Sequence, residues 1–193
     1  MYQIILASGS PRRKEILEQA GIVFSVKPSQ KEENITTDNP KDLVKELSYM
    51  KAMDIAKDAA VNSVVIGADT VVENAGQILG KPKDELEAVS MIMNLQGHAH
   101  SVYTGVCIVV KDEIGHIEVR QFAQQTKVMI AEMSKDEAME YVLTGEPMDK
   151  AGAYAIQGKF AKFIDGIEGD YYNVVGFPIA SFRKEMKSLG FQL

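Results

Sequence analysis

The chain has 193 residues, 46% hydrophobic and 25% charged, with 21 basic against 27 acidic side chains and a formal net charge of −6. This is the composition of a folded globular protein with room for one sizeable core; the acidic balance excludes a broad polyanion-binding surface, so a basic cluster is a local pocket and nucleic acid is not an expected partner. No run approaches the roughly 18 apolar residues that span a bilayer, no charged-then-apolar leader opens the chain, and Cys107 is the only cysteine, so a cytoplasmic protein with no membrane partner and no internal disulfide is expected.

In chain order, Ile4-Ile5-Leu6-Ala7 reads as a buried strand, followed by the turn Ser8-Gly9-Ser10-Pro11-Arg12-Arg13-Lys14. Ser10 suits an N-cap and Pro11 a first helical position, so a helix begins here. Arg13 stands where a capping box would place Glu, and three cations crowd a helix end that already carries positive partial charge. Each such placement costs roughly 0.3–1 kcal/mol at an exposed site. A bound anion reverses the sign, because free backbone N–H groups and guanidinium forks both suit phosphate. Side chains simply reaching into water are the competing reading, and phosphate binding is favoured over it.

Gly21 closes this helix, and residues 22–27 read as a second strand. A polar, acidic segment containing Glu32 and Glu33 follows. Asp38-Asn39-Pro40 then starts a helix with Leu43, Leu47, Met50 and Ala56 on its buried face. Val64 to Val72 is nearly continuous strand sequence, Asn74-Ala75-Gly76 a turn, and Ile78-Leu79 a short returning strand before Gly80-Lys81-Pro82. A helix over 84–96 carries Leu86, Val89, Ile92, Met93 and Leu95 and ends at Gly97. Long strands over 101–111 and 118–131 form a hairpin around Gly115. Ser134-Lys135-Asp136-Glu137 is a capping-box signature for a helix to about Thr144. A Gly-rich run over 146–158 follows, and Pro178 opens a last amphipathic helix that stops before Gly190. The alternation predicts an α/β protein, and the lack of repeats or linkers predicts a single domain over 1–193 with a cleft.

Asp69 is the chemically suggestive residue. It interrupts Ile66-Gly67-Ala68-Asp69-Thr70-Val71, a strand that otherwise reads as core. A lone buried charge is costly, so it should meet a metal, a cation or a solvent-open site; a capping Asp at a strand bend is the plainer alternative. Lys81, between Gly80 and Pro82, is held near the same end of the sheet. Lys51 on its helix reads by default as a solvated lysine. The 146–158 run is too rich in specific residue types for an idle loop, and Gln157 offers both the donor and the acceptor that suit a nucleobase edge. His98, His100 and His116 lack metal-ligand spacing, the methionines read as core filler, and Cys107 reads as a buried strand residue without chemistry.

The segments SGSPRRKE, GADTVV, LGKPKD, HSVYTGV, EPMDKAGAYAIQG and GDYYNVVGFP resemble, in order and from Ser8 to Pro178, those of the Maf family of nucleoside triphosphate pyrophosphatases. The resemblance implies a mixed sheet with flanking helices forming two α/β lobes around a cleft, related in fold to the inosine-triphosphate pyrophosphatases. It implies hydrolysis of a nucleoside triphosphate substrate to the monophosphate and pyrophosphate with a divalent metal, for which Mg2+, Mn2+ and Co2+ all suit a mostly oxygen-lined site. On this resemblance Asp69 is the general base and a metal ligand, and Glu33 a second metal ligand. Ser8, Arg13, Lys51 and Lys81 are the phosphate partners. The dTTP/UTP subgroup carries Arg, Thr and Gln at three base-facing positions, matched here by Arg12, Thr70 and Gln157; the 7-methyl-GTP subgroup carries Trp, Gln and Glu there. Hydrolysis of 7-methyl-GTP or of non-standard nucleotides is the first alternative, and a nucleotide-binding regulator of septum formation the second. A homodimer is the base-rate oligomer.

Overall fold

The computed structural model describes residues 2–31 and 37–193. The chain begins β1 (Gln3–Leu6), α1 (Pro11–Gln19), β2 (Ser25–Val26), α2 (Pro40–Ala56), β3 (Ser63–Asn74), β4 (Gln77–Leu79) and α3 (Glu85–Leu95). It continues β5 (Ala99–Lys111), β6 (Ile117–Ile130), α4 (Lys135–Val142), β7 (Ile164–Glu168), α5 (Tyr171–Val175) and α6 (Ile179–Ser188), with short 3₁₀ turns between α4 and β7. All seven described strands join one sheet in the order β2-β1-β3-β5-β6-β7, with β4 beside β3. β1 runs parallel to β2 and to β3, and every other pairing is antiparallel. The parallel pairs are joined through helical crossovers and the antiparallel ones by hairpins or returns, as strand direction requires. The mixed α/β sheet anticipated from the sequence is present.

Alternation along the strands divides the core between two faces. Leu6, Val64, Ile66, Val106 and Ile108 point to one face and pack with residues of α1, α3, α4 and α6, including Leu17, Ile92, Tyr141 and Phe182. Ile5, Val65, Cys107 and Val109 point to the other and pack beneath Ala52, Ile55 and Ala56 of α2. Burial there pushes the Cys107 thiol up to about 12.

α2 rests on the sheet at backbone distance because two glycines lie under it. A Cβ at Gly67 would stand 2.1 Å from the Ser48 carbonyl oxygen, and one at Gly105 2.2 Å from that of Val44. The helix starts where its sequence says: Asn39 accepts hydrogen bonds from the Lys41 and Asp42 amides, with Pro40 at the first position. The Ser134–Glu137 capping box of α4 is fully formed. Ser10 has the extended backbone of an N-cap before α1, yet its side chain makes no capping bond.

Several expectations need correction. The strand over 22–27 shrinks to Ser25–Val26, an edge strand in which Val26 and the preceding Val23 are exposed, so no second sheet contact prolongs it. Leu86 is 80% exposed on the outer side of the first turn of α3, and Met50 is only half-buried. β7 and α5, absent from the sequence reading, are five residues each, too short to show a period. Among the described residues no helix is long and apolar enough to cross a membrane.

Candidate active site

β1 pairs with β3 only as far as Ile66, and β4 takes over at Val72. Between these points residues 67–71 of β3 have β5 on one side and no strand on the other among those described. A cleft of about 620 Å3 opens along that gap, in the size range of small-ligand sites. Among the described residues five basic side chains line it, Arg12, Arg13, Lys51, Lys81 and Lys150, against two acidic ones, Asp69 and Asp149. A cationic hollow in a chain of net charge −6 is the local pocket that the composition allowed. Ser8, Thr70 and Gln157 also line it. Every site residue read from the sequence is therefore gathered here except Glu33, which lies outside the described residues.

Asp69 shares the α2-facing side of β3 with Gly67. The close seat of α2 on that glycine brings Lys51 over the sheet, and its Nζ donates to Asp69 Oδ1 at 2.5 Å. Both side chains are nearly buried, at 13% and 10% exposure, so the solvated-surface reading of Lys51 does not hold. A buried carboxylate with a directly bonded ammonium escapes the cost of an isolated charge. Asp69 also lines the cleft.

Thr70, next along the strand, points to the opposite face and meets Arg13. The buried guanidinium donates from Nε to the Gly176 carbonyl oxygen at 2.9 Å, from one terminal nitrogen to Ser8 Oγ at 2.9 Å, and from the other to Thr70 Oγ1 at 3.1 Å. Arg13 thus ties the 8–13 turn to β3 and to the residue after α5. Thr70 Oγ1 lies 2.9 Å from Thr104 Oγ1, and Thr104 donates to the Asn173 carbonyl oxygen at 2.9 Å.

The opposite wall is the segment between α4 and β7. Gly152 donates its amide to the Gly80 carbonyl oxygen at 3.0 Å, fixing this wall to the turn that carries Lys81. Tyr154 Oη lies 2.8 Å from His100 Nε2. Tyr141 Oη accepts from the Ala155 amide at 3.2 Å and donates to Glu146 at 2.9 Å, and Glu146 accepts from the Lys159 amide at 3.0 Å. These bonds pin both flanks of Gln157, which stays exposed at the lip. A Cβ at Gly158 would stand 2.2 Å from the Glu146 carboxylate, so a larger residue there would have to move that side chain. Burial lowers His100 to about 4, so it is a neutral packing partner of the Tyr154 wall and does not itself line the cleft. Burial also raises the Tyr154 hydroxyl, which stays protonated.

Lys150 escaped the sequence reading although it lies within the EPMDKAGAYAIQG run. It lines the cleft and is ion-paired with Asp149. Burial pushes the Asp149 carboxyl up, but the Lys150 hydrogen bond and the charges of Lys150 and Arg12 together hold it below its ordinary value. The available signal was a cation beside a small-residue run, the pattern that singled out Lys81. As for a metal, the described residues hold no cluster of three or more His, Cys, Asp or Glu side chains. Asp69 is a single hard oxygen donor. It fits Mg2+, which commonly takes one or two carboxylates and completes its shell with substrate phosphates and water.

Residues 3–189 match the family model described as Maf-like protein. The chain is 51% identical over 193 residues to the dTTP/UTP pyrophosphatase of Lachnoclostridium phytofermentans, covering 100% of this chain and 98% of that one. It is 48% identical over 202 residues to the dTTP/UTP pyrophosphatase of Agathobacter rectalis, covering 98% of each. It is 46% identical over 188 residues to that of Bacillus cereus, covering 97% of this chain and 95% of the relative. Among solved structures, a nucleoside-triphosphatase (dITP/XTP pyrophosphatase) from Mycobacterium abscessus aligns over 97% of this chain and 95% of its own at 12% identity and a TM-score of 0.43, a likeness too distant to carry any argument. With the whole chain spanned by relatives near half identity, this protein belongs to the Maf-like family.

Proposed function

We propose that this protein is a nucleoside triphosphate pyrophosphatase that hydrolyses dTTP and UTP to the monophosphate and pyrophosphate. The observation that carries the reading is Asp69, an acid ion-paired to Lys51 in a cleft where, among the described residues, basic side chains outnumber acidic ones five to two. The names borne by the near-full-length relatives supply the substrate class.

Phosphoryl chemistry of this kind relies on placement and charge neutralisation, which basic side chains and backbone donors provide. In the proposed reaction a water oxygen bonds to the α-phosphorus while the α–β bridging P–O bond breaks and pyrophosphate leaves. Asp69 receives the proton of that water. Lys51 holds the carboxylate in place through its ion pair. Ser8, Arg13 and Lys81 hold phosphate oxygens together with Lys51, and Lys150 adds charge from the facing wall. Arg12, Thr70 and Gln157 face the base; the two carbonyls and one N–H of thymine or uracil match an amide and a hydroxyl. A divalent cation (Mg2+, Mn2+ or Co2+) would be held by Asp69 with substrate phosphates, and Glu33 is assigned to the same ion; when bound it neutralises phosphate charge and acidifies water. A cytoplasmic enzyme, assembled as a homodimer, completes the reading.

The test is pyrophosphate release from dTTP, UTP, CTP and 7-methyl-GTP at several metal concentrations. Fastest turnover of dTTP and UTP, dependent on added metal, is the expected result. Preferred turnover of 7-methyl-GTP would replace the substrate assignment, and no pyrophosphate from any of them would remove the activity.

A further inference from the structure

The hydroxyls of Thr70 and Thr104 form a relay whose direction is set from beneath the cleft. A hydroxyl has one proton to give and two lone pairs to receive. The Asn173 carbonyl can only accept, so the 2.9 Å contact from Thr104 consumes the Thr104 proton. Arg13 can only donate, so its 3.1 Å contact occupies a lone pair of Thr70. The remaining 2.9 Å contact between the two threonines is then satisfied in one way only, with Thr70 donating to Thr104. The end of the relay is fixed. Asn173 is fully buried, and its side-chain amide donates to the Val102 carbonyl oxygen at 3.1 Å and to Thr126 Oγ1 at 3.0 Å. Thr104 is equally buried, so no solvent can reverse its proton.

Thr70 is half-exposed and lines the cleft with one lone pair left and no proton to offer. We infer that Thr104 is a positioning residue for specificity: by taking the Thr70 proton it makes Thr70 an obligate acceptor, selecting bases that present an imino N–H and rejecting those that present a bare ring nitrogen. Thymine and uracil carry that N–H at N3; cytosine carries a lone pair there, which would face the lone pair of Thr70. This rests on the assignment of Thr70 to the base in the proposed function. A polar site set for one partner leaves groups unpaired with the wrong one, and this is where discrimination arises.

The experiment compares kcat/KM for UTP and CTP in the full-length wild type and in Thr104→Val and Thr104→Ser. The valine is isosteric but cannot accept, which frees Thr70 to turn its proton toward the ligand; the serine keeps the relay. The expected result is a UTP-over-CTP ratio lowered about five-fold or more in Thr104→Val, chiefly through a lower KM for CTP, with the ratio retained in Thr104→Ser. A Thr104→Val ratio equal to wild type, or equal losses for both nucleotides through kcat, overturns the inference and leaves the proposed function standing. A wild type that favours neither UTP nor dTTP over CTP overturns that function first. Should Thr104→Val fail to fold, Thr104→Cys, which keeps the size and is a poor acceptor, is read by the same ratio.

Discussion

Asp69 and Lys51 form one ion pair at the edge of the cleft. The Lys51 ammonium compensates the carboxylate at that depth and leaves it fixed beside the cleft. Asp69→Asn retains the shape and an oxygen for Lys51 while removing the base. Pyrophosphate release is expected to fall by about two to four orders of magnitude, with the thermal unfolding midpoint little changed; near-normal turnover would take Asp69 out of the chemistry. Asp69 was legible in the sequence because an acid among Ile66, Ala68 and Val71 interrupts a strand that otherwise reads as core. Its partner was not. Helical spacing shows which face of α2 is apolar, but not which strand position lies opposite Lys51. Lys150 was hidden for a related reason: the 3₁₀ turns that aim it into the cleft have no periodic signal.

At the scale of elements, the seat of α2 on the sheet decides whether Asp69 and Lys51 meet. Gly67→Ala places a methyl 2.1 Å from the Ser48 carbonyl oxygen and 2.7 Å from the Ala52 amide, both backbone atoms that cannot swing away. The helix must lift, at a cost of about 1–3 kcal/mol by the measure of overpacked cores. Chemical denaturation should register that loss, and turnover should fall with it although no reacting group has changed. A variant as stable and as active as the wild type would show that α2 has slack. Elements with strong local signatures are legible in the amino-acid order itself: the long apolar β3 and β5, the Gly115 hairpin, the Asn39 cap and the Ser134–Glu137 box. β2, β7 and α5 were misjudged or absent because tertiary neighbours define them. β7 exists by pairing with β6 across a register shift at Met129/Ile130, which no local pattern encodes.

Over the whole molecule, one buried imidazole links stability to pH. His100 sits at about 4 in the folded chain because burial disfavours its charged form, against an ordinary imidazole value of 6.5. The unfolded chain therefore binds the extra proton first as pH falls. The contribution of neutral His100 is complete above about 6.5, is lost between 6.5 and about 4, and levels off below. Between pH 7 and pH 5 this removes on the order of 2 kcal/mol. Urea unfolding at the two values should show the drop, and His100→Gln should flatten it while preserving a polar partner for Tyr154; an unaltered slope would assign the acid sensitivity to other groups.

The solitary thiol, sealed under the helix layer and held in its unreactive form, makes the molecule its own gauge. An alkylating reagent has nothing to attack until that layer separates from the strands, so the labelling rate of Cys107 counts spontaneous openings of the roof over Asp69. A nucleotide bracing both sides of the cleft should slow that clock, reporting occupancy without a single turnover.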